Sequence, residues 1–197
     1  MQKTIMVDLD DIIISFSEMF VRECNKYVRR MYNITDKELK IEDIQEYEFK
    51  KGFLNVFNEL SEDDYECIEE IILNDDVLYC MPIYTEESMI VFNLVKHYKD
   101  MGYKIILHTK VSTVRMINSK TTLFRQDNRF NLFDEIILDW ERGIHSPKPT
   151  HYDVIIDDSP YNIQHYLNNN PYGKVYTTLR PWNKQFKNEE RVFVIGE

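Results

Sequence analysis

Cysteine is sparse in this sequence, and the usual zinc-binding patterns are missing. The 197 residues include three cysteines, Cys24, Cys67 and Cys80, an odd number without CxxC spacing. This pattern argues against a disulfide framework and against a structural zinc site. The five histidines do not form an HExxH motif either. A reducing compartment is therefore expected, and the cytoplasm is the predicted location.

Long apolar runs and clustered basic residues are also missing. No stretch approaches the length of a membrane-spanning helix, and Asp8, Asp10 and Asp11 interrupt the region where a signal peptide is apolar. The formal net charge of −10 repels a nucleic-acid backbone. The sequence therefore predicts no membrane partner and no stable duplex partner. Small phosphorylated substrates stay compatible with this charge, because a local metal ion can overcome the overall field.

Strand-like and helix-like segments alternate along most of the chain. Helical periodicity covers residues 15–32, 62–73, 85–99 and 112–126. Short apolar runs typical of strands cover residues 4–9, 103–108, 135–138, 153–156, 175–177 and 192–195. Such alternation is typical of a parallel sheet flanked by helices. The predicted fold class is therefore α/β and Rossmann-like, with the last strand at an edge.

The connection between the first two predicted strands is too long for a simple crossover. About 95 residues separate these strands, whereas a βαβ unit takes roughly 30 in total. An inserted unit must therefore follow the first strand. We expect residues 16–84 to form a small helical cap, and residues 1–15 and 85–197 to form the α/β core.

Polar side chains follow four of the predicted strands. These residues are Asp8 and Asp10, Thr109, Lys148, and Asp157 and Asp158. Because ligands bind at the carboxyl ends of parallel strands, we expect these side chains to converge in space. Paired carboxylates repel each other unless a cation lies among them, and oxygen ligands suit a hard ion such as Mg²⁺. A carboxylate at such a site can attack phosphorus once the phosphate charge is neutralised.

The order of these residues resembles the four motifs of the haloacid-dehalogenase-like phosphatases. The likeness extends from about residue 4 to residue 185 and is carried by Val7-Asp8-Leu9-Asp10, Thr109, Lys148 and Asp157-Asp158. Residues 8–16, 155–160 and 181–183 further resemble the 5'(3')-deoxyribonucleotidases of the cytosolic type C group. The resemblance implies that the sheet is a haloacid-dehalogenase-like core.

The resemblance also implies roles for the four aspartates. Asp8 would be the nucleophile and a metal ligand. Asp10 would protonate the leaving oxygen and later activate water, while its backbone carbonyl touches the metal. Asp158 would be the third protein ligand of Mg²⁺, and Asp157 an adjacent support, although the sequence does not rank these two.

The remaining implied roles concern the substrate. Thr109 would donate a hydrogen bond to the phosphoryl oxygens, and Lys148 would offset charge on the nucleophile and the phosphate. Phe16 would place its ring against the base or sugar. Two residues depart from the family pattern: Asp11 stands where many members have glycine, and Lys110, beside the substrate phosphate, where nucleotidases often have a small residue. These departures could weaken or redirect the activity.

The function predicted from the resemblance is Mg²⁺-dependent hydrolysis of nucleoside monophosphates, deoxyribonucleotides foremost, through an aspartyl-phosphate intermediate. The alternatives are another small phosphate ester or a DNA 3' phosphate as substrate, a phospho-accepting receiver-like module, and a weakly active binding protein. Base preference, 5' versus 3' phosphate and oligomeric state, a homodimer included, are left open. Lys120 lies within reach of a phosphate, but a solvated helix face is its expected position.

Overall fold

The structure, a computed structural model, describes residues 2–74, 77–140 and 146–196. The strands in these ranges are β1 (Thr4–Val7), β2 (Lys104–Val111), β3 (Glu135–Trp140), β4 (Val154–Ile156), β5 (Lys174–Thr177) and β6 (Val192–Val194). The α-helices are α1 (Phe16–Tyr32), α2 (Phe49–Val56), α3 (Glu62–Leu73), α4 (Val77–Cys80), α5 (Glu86–Asp100), α6 (Val114–Gln126) and α7 (Pro160–Asn169). No described helix combines the length and apolar character needed to cross a membrane.

The strands form one sheet in the order β3-β2-β1-β4-β5-β6, with parallel pairing throughout. Met6 lies at the centre, in register with Ile106 on one side and Ile155 on the other. The α/β prediction is therefore confirmed, and β6 lies at an edge. Because β1 is flanked by β2 and β4, the residues that follow these three strands meet at one edge of the sheet.

The alternating side chains of β1 divide the core between the two faces of the sheet. Ile5 and Val7 belong to the larger apolar cluster, which continues into the helices of the insertion. Met6 points the other way and packs with Ile163 and Tyr166 of α7. Burying a side chain of this size contributes roughly 1.5–3 kcal/mol. The central strand is thus fixed from both sides, which fixes the positions of the polar residues beyond it.

A helical insertion follows the first strand, as predicted. It contains α1, α2, α3 and α4. Ser61 begins α3 with a capping box, in which its hydroxyl accepts from the Asp64 amide at 3.2 Å and the Asp64 carboxylate accepts from the Ser61 amide at 2.8 Å. The sequence did not predict α2, α4 or α7, and the second strand extends to Val111, beyond its predicted end.

The chain enters and leaves the insertion side by side. The amide of Ser15, just before α1, donates to the carbonyl of Ile83 at 2.9 Å, just before α5. Asp11 in the entry segment has a left-handed backbone, with φ of 56°. Glycine adopts this conformation most readily and aspartate tolerates it better than most residues. This paired connection holds the insertion over the carboxyl edge of the sheet.

Candidate active site

Three buried carboxylates meet where β1 and β4 end. Asp8, Asp157 and Asp158 each place an oxygen within 4.8 Å of the other two. Asp8 follows β1 directly, and its amide donates to the carbonyl of Ile156 at the end of β4, at 2.8 Å. This donor set suits a hard divalent cation. Burial and neighbouring carboxylates raise the pKa values of Asp157 and Asp158, and a bound cation would favour their ionised forms.

Lys148 joins two of these carboxylates. Its Nζ lies 2.8 Å from Oδ1 of Asp8 and 3.0 Å from Oδ2 of Asp157, and the residue is buried. Burial disfavours its charged form, but the carboxylates of Asp157 and Asp8 overcome this effect and raise its pKa. The amide of Lys148 donates to Oδ1 of Asn162 on α7 at 3.1 Å. The ammonium group is therefore held in place and positively charged.

Asp157 and Asp158 differ in how many protein donors they have. Both oxygens of Asp157 accept hydrogen bonds from Nδ2 of Asn162, at 3.1 and 3.0 Å, and Oδ1 also accepts from the amide of Ser159. The carboxylate of Asp158 accepts from Nε1 of Trp182 at 3.0 Å. Asp157 therefore has more protein donors than Asp158, and the ligand role of Asp158 with Asp157 as its support stays a prediction.

The side chain of Asp10 does not join the three-carboxylate group. Its Oδ2 lies 2.6 Å from Nζ of Lys120, and Nζ also donates to Oγ1 of Thr109 and to the carbonyl of Lys110, both at 2.7 Å. The hydroxyl of Thr109 is 3.4 Å from Oδ2 of Asp10. The metal contact predicted for the backbone carbonyl of Asp10 stays a prediction.

Lys120 corrects an expectation from the sequence. It was expected on a solvated helix face, but its exposure is 0% and its ammonium points inward from α6. Its partners explain this position, because a lysine is almost never fully buried unless it is paired. No local sequence signal identifies the pairing, since Asp10 lies 110 positions away.

The insertion covers the carboxylates and leaves a cavity of about 510 Å³. Asp10 and Asp158 contribute to its wall, as does Lys110. Its aromatic lining consists of Phe16, Phe20, Tyr47, Phe49, Tyr65, Tyr79 and Trp182. Phe16 and Lys110 both line this cavity, and the substrate contacts predicted for them stay predictions. Rings contributed by the insertion meet Trp182 of the core, as the 6.0 Å separation between the centroids of Phe49 and Trp182 shows.

Asp11, the departure from the family pattern, has a structural role. Its carboxylate accepts hydrogen bonds from the amide of Ser17, at 2.9 Å, and from the Ser17 hydroxyl. Burial raises the pKa of Asp11 to about 6, against the effect of these hydrogen bonds. The residue thus caps the first turn of α1 and satisfies one of its free amides.

Reasoning from the sequence missed Asn162, Tyr79 and the bond from Trp182 to Asp158. A signal for Asn162 was present, because Ser159 followed by Pro160 is a typical helix start. Ser159 is the N-cap of α7, with its side chain accepting from the amide of Asn162. The contacts of Tyr79 and Trp182 join distant parts of the chain and have no comparable local signal.

No protein-family model matches this chain, and no curated protein sequence matches it. Solved structures do. A haloacid dehalogenase-like hydrolase from Streptococcus pneumoniae superposes with a TM-score of 0.64 at 11% identity, covering 98% of this chain and 93% of that one. A predicted phosphatase from Clostridium acetobutylicum gives 0.65 at 13% identity, with coverages of 100% and 94%.

A predicted phosphoglycolate phosphatase from Haemophilus somnus also superposes, with a TM-score of 0.59 at 12% identity. The superposition covers 92% of this chain and 87% of that one. At such low identities the matches establish the fold. The chain has the haloacid-dehalogenase-like α/β fold, with six parallel strands and a helical insertion after the first.

Proposed function

We propose that this chain is a Mg²⁺-dependent phosphatase that acts on nucleoside monophosphates, deoxyribonucleotides foremost, through a phosphoaspartate at Asp8. The observation that carries the proposal is the convergence of Asp8, Asp157, Asp158 and Lys148 at one point beneath the insertion. Three carboxylates with one ammonium leave an excess of negative charge, which a divalent cation would neutralise.

The metal would be held by Asp8 and Asp158, with Asp157 supporting them through Lys148 and Asn162. Hard cations prefer oxygen ligands, and the buried carboxylate oxygens lie close enough together to bind one such ion. When bound, Mg²⁺ supplies neutralisation of the phosphoryl oxygens, so that an anionic nucleophile can approach. Lys148 contributes a second positive charge next to the attacking oxygen.

The chemistry divides between Asp8 and Asp10. The carboxylate of Asp8 attacks phosphorus and forms an Asp8–O–P bond, while the bond from phosphorus to the ester oxygen breaks and Asp10 gives that oxygen a proton. In the second step Asp10 takes a proton from water as the water oxygen attacks phosphorus. The bond from Asp8 to phosphorus then breaks, which releases phosphate and restores Asp8 as a carboxylate and Asp10 as a protonated acid.

The proposed substrate class rests on the lining of the cavity. Of its seven rings, Phe16, Tyr47 and Phe49 are only partly buried and offer flat apolar surfaces on which a nucleobase can stack. A volume of about 510 Å³ falls in the range typical of small-molecule sites. Small sugar phosphates would leave most of this aromatic surface uncovered. A nucleoside monophosphate therefore matches the cavity better than a small aliphatic ester.

The test is phosphate release from a panel of nucleoside 5'- and 3'-monophosphates, sugar phosphates and p-nitrophenyl phosphate, with Mg²⁺ and with excess chelator. The proposal expects metal-dependent turnover with the highest kcat/KM for deoxyribonucleoside monophosphates. A sugar phosphate as the best substrate would reject the nucleotide assignment alone. Chelator-insensitive turnover, or none on any ester, would reject the phosphatase assignment.

A further inference from the structure

Tyr79 connects the insertion to the carboxylate of Asp10. It lies on α4, in the last part of the insertion, and is only 2% exposed. Its hydroxyl donates to Oδ1 of Asp10 at 3.2 Å, across 69 positions of sequence. Asp10 itself belongs to the segment that follows β1. This contact is therefore a direct polar link between the insertion and a residue to which the proposed mechanism assigns proton transfer.

The two oxygens of Asp10 are held by different parts of the molecule. Oδ2 accepts from Nζ of Lys120 at 2.6 Å, and both Lys120 and the nearby Thr109 belong to the sheet and its flanking helix. Oδ1 accepts from Tyr79 of the insertion. The ammonium of Lys120 also lies 5.0 Å from the centroid of the Tyr79 ring, within the range of a cation–π contact. Rotation of the carboxylate would break at least one of these contacts.

Tyr79 is suited to donate and to stay in place. Burial and the charge of Asp10 raise its pKa well above the usual range, so the hydroxyl keeps its proton. The ring stacks on Phe16, with centroids 6.4 Å apart and planes 25° from parallel. Four residues further along, the carbonyl of Ile83 accepts from the amide of Ser15. The position of Tyr79 is therefore set by neighbours on both connections of the insertion.

We propose that Tyr79 is a positioning residue that orients the carboxylate of Asp10 for proton transfer, and that it does so only while α4 lies against the core. The inference rests on the proposed function, because it assumes that Asp10 exchanges a proton with the leaving oxygen. The position of α4 against the core would then determine whether the carboxylate of Asp10 is oriented for proton transfer. If a substrate kept α4 displaced, this carboxylate would be held only through its Oδ2 atom.

The test uses Tyr79→Phe, which keeps the ring and removes the hydroxyl. Correct orientation of a proton donor matters most for poor leaving groups. In single-turnover rapid-quench experiments, we expect the rate of phosphoenzyme formation to fall by about 10-fold for a deoxyribonucleoside monophosphate, the size of one lost hydrogen bond, and by less than about 3-fold for p-nitrophenyl phosphate. Breakdown of the phosphoenzyme, in which Asp10 activates water, should slow equally for both substrates. KM should stay unchanged, because the aromatic surface is retained. A role limited to folding would lower both rates alike.

Tyr84→Phe is the matched control. The hydroxyl of Tyr84 also donates to an aspartate, Asp127, at 2.6 Å, but this pair does not line the cavity. The control should lose stability without changing the ratio of the two rates. Crystal structures of the wild type and Tyr79→Phe provide a readout independent of activity, since Asp10 should change rotamer or become disordered in the variant.

The outcomes separate the two proposals. An active wild type whose Tyr79→Phe variant keeps both the rate ratio and the Asp10 rotamer overturns the inference and leaves the proposed function intact. A wild type that hydrolyses no ester overturns the proposed function and the inference with it. A fall in the ratio for Tyr79→Phe and not for Tyr84→Phe supports the inference.

Discussion

The core half and the insertion half of the cavity differ in how their side chains are held. In the core half, Lys148 pairs with Asp8 and Asp157, and Lys120 pairs with Asp10. The buried carboxylate of Asp158 accepts a hydrogen bond from Trp182. The insertion half contributes six rings, which contact one another at centroid distances such as 4.9 Å between Phe20 and Phe49. It also contributes the charged side chains of Glu48, Lys50, Glu66 and Glu69. Paired charges of the core thus face the rings of the insertion across the cavity.

This difference follows from what each kind of contact requires. A buried charge needs a partner at a fixed distance, because an unpaired one is costly in a medium of low dielectric. Adjacent parallel strands supply such fixed positions. Ring contacts tolerate small displacements, so they suit an insertion joined to the sheet by two chain segments. Under the proposed function, this comparison assigns the reaction to residues of the sheet and the choice of substrate to residues of the insertion.

The largest expected effect is that of Asp8→Asn. The amide is a poor nucleophile, so turnover should fall by at least about 10³-fold on every ester, and no phosphoenzyme should form. The fold should persist, because Lys148 retains Asp157 as a partner. Rapid-quench trapping of labelled phosphate measures phosphoenzyme formation, and a thermal melt measures whether the fold persists. Turnover close to that of the wild type in a folded variant would break the assignment of the reaction to the sheet.

Lys120→Met should have the next largest effect. Loss of the ammonium removes the charge beside Oδ2 of Asp10, and kcat should fall by about 10²-fold. The side chain of Asp10 is 27% exposed, so water can replace part of the lost contact. Unfolding free energy should therefore fall by about 1–3 kcal/mol.

Lys104→Met is the control for this variant. Lys104 pairs with Glu135 at 2.6 Å on the surface, where both side chains are more than a third exposed. Such a pair contributes at most about 1 kcal/mol to stability and touches no part of the cavity. Equal losses of kcat in the two lysine variants would show that Lys120 acts through general stability.

The sequence predicted the core half far better than the insertion half. Strand-terminal aspartates are visible as residues that follow apolar runs, and parallel strands must bring their ends together. The six strands, the flanking helices α5 and α6, and the convergence of Asp8, Asp157, Asp158 and Lys148 could therefore be predicted, whereas α7 was missed. The burial of Lys120 could not be predicted, because a lysine on an amphipathic helix is expected to lie in solvent unless its partner is known.

The insertion half could be predicted only as a helical unit of a given length. Short helices such as α2 and α4 carry too few residues for a clear period. The contacts of Tyr79 and Trp182 depend on how the insertion packs on the sheet, which no local pattern specifies. Phe16 was identified through the resemblance, since an aromatic residue on an apolar helix face otherwise indicates core packing.

Phe16→Leu tests the aromatic half directly. A leucine keeps apolar contact but loses the stacking surface, so KM for a deoxyribonucleoside monophosphate should rise by about 3- to 10-fold. KM for glycerol phosphate, which has no ring, should stay within error of the wild type. Phe193→Leu, at a 42% exposed position on β6, is the matched control. An equal rise in KM for both substrates would show that Phe16 also maintains the core half of the cavity, where the phosphate would bind.

The smallest effect concerns the junction where the chain returns from the insertion to the core. Arg129 binds Asp127 through two guanidinium nitrogens, and its guanidinium lies 3.6 Å from the ring centroid of Tyr84. Hydrogen bonds from Arg129 lower the pKa of Asp127 to about 2 in the folded chain, against a usual value of 3.8. Since the folded pKa is depressed, the stabilisation is present above about pH 4 and is lost as the pH falls from 4 towards 2. Allowing for solvent screening around this partly exposed pair, the stabilisation should be about 1 kcal/mol.

Urea unfolding of the wild type and Asp127→Asn at pH 6 and pH 3 measures this stabilisation, with Asp36→Asn at an exposed position as the control. The difference between wild type and Asp127→Asn should shrink by about half that amount at pH 3, because pH 3 lies midway between the two pKa values. Asp36→Asn should show no such change. A difference independent of pH would mean that the junction is held by packing of Tyr84 and Arg129 rather than by charge.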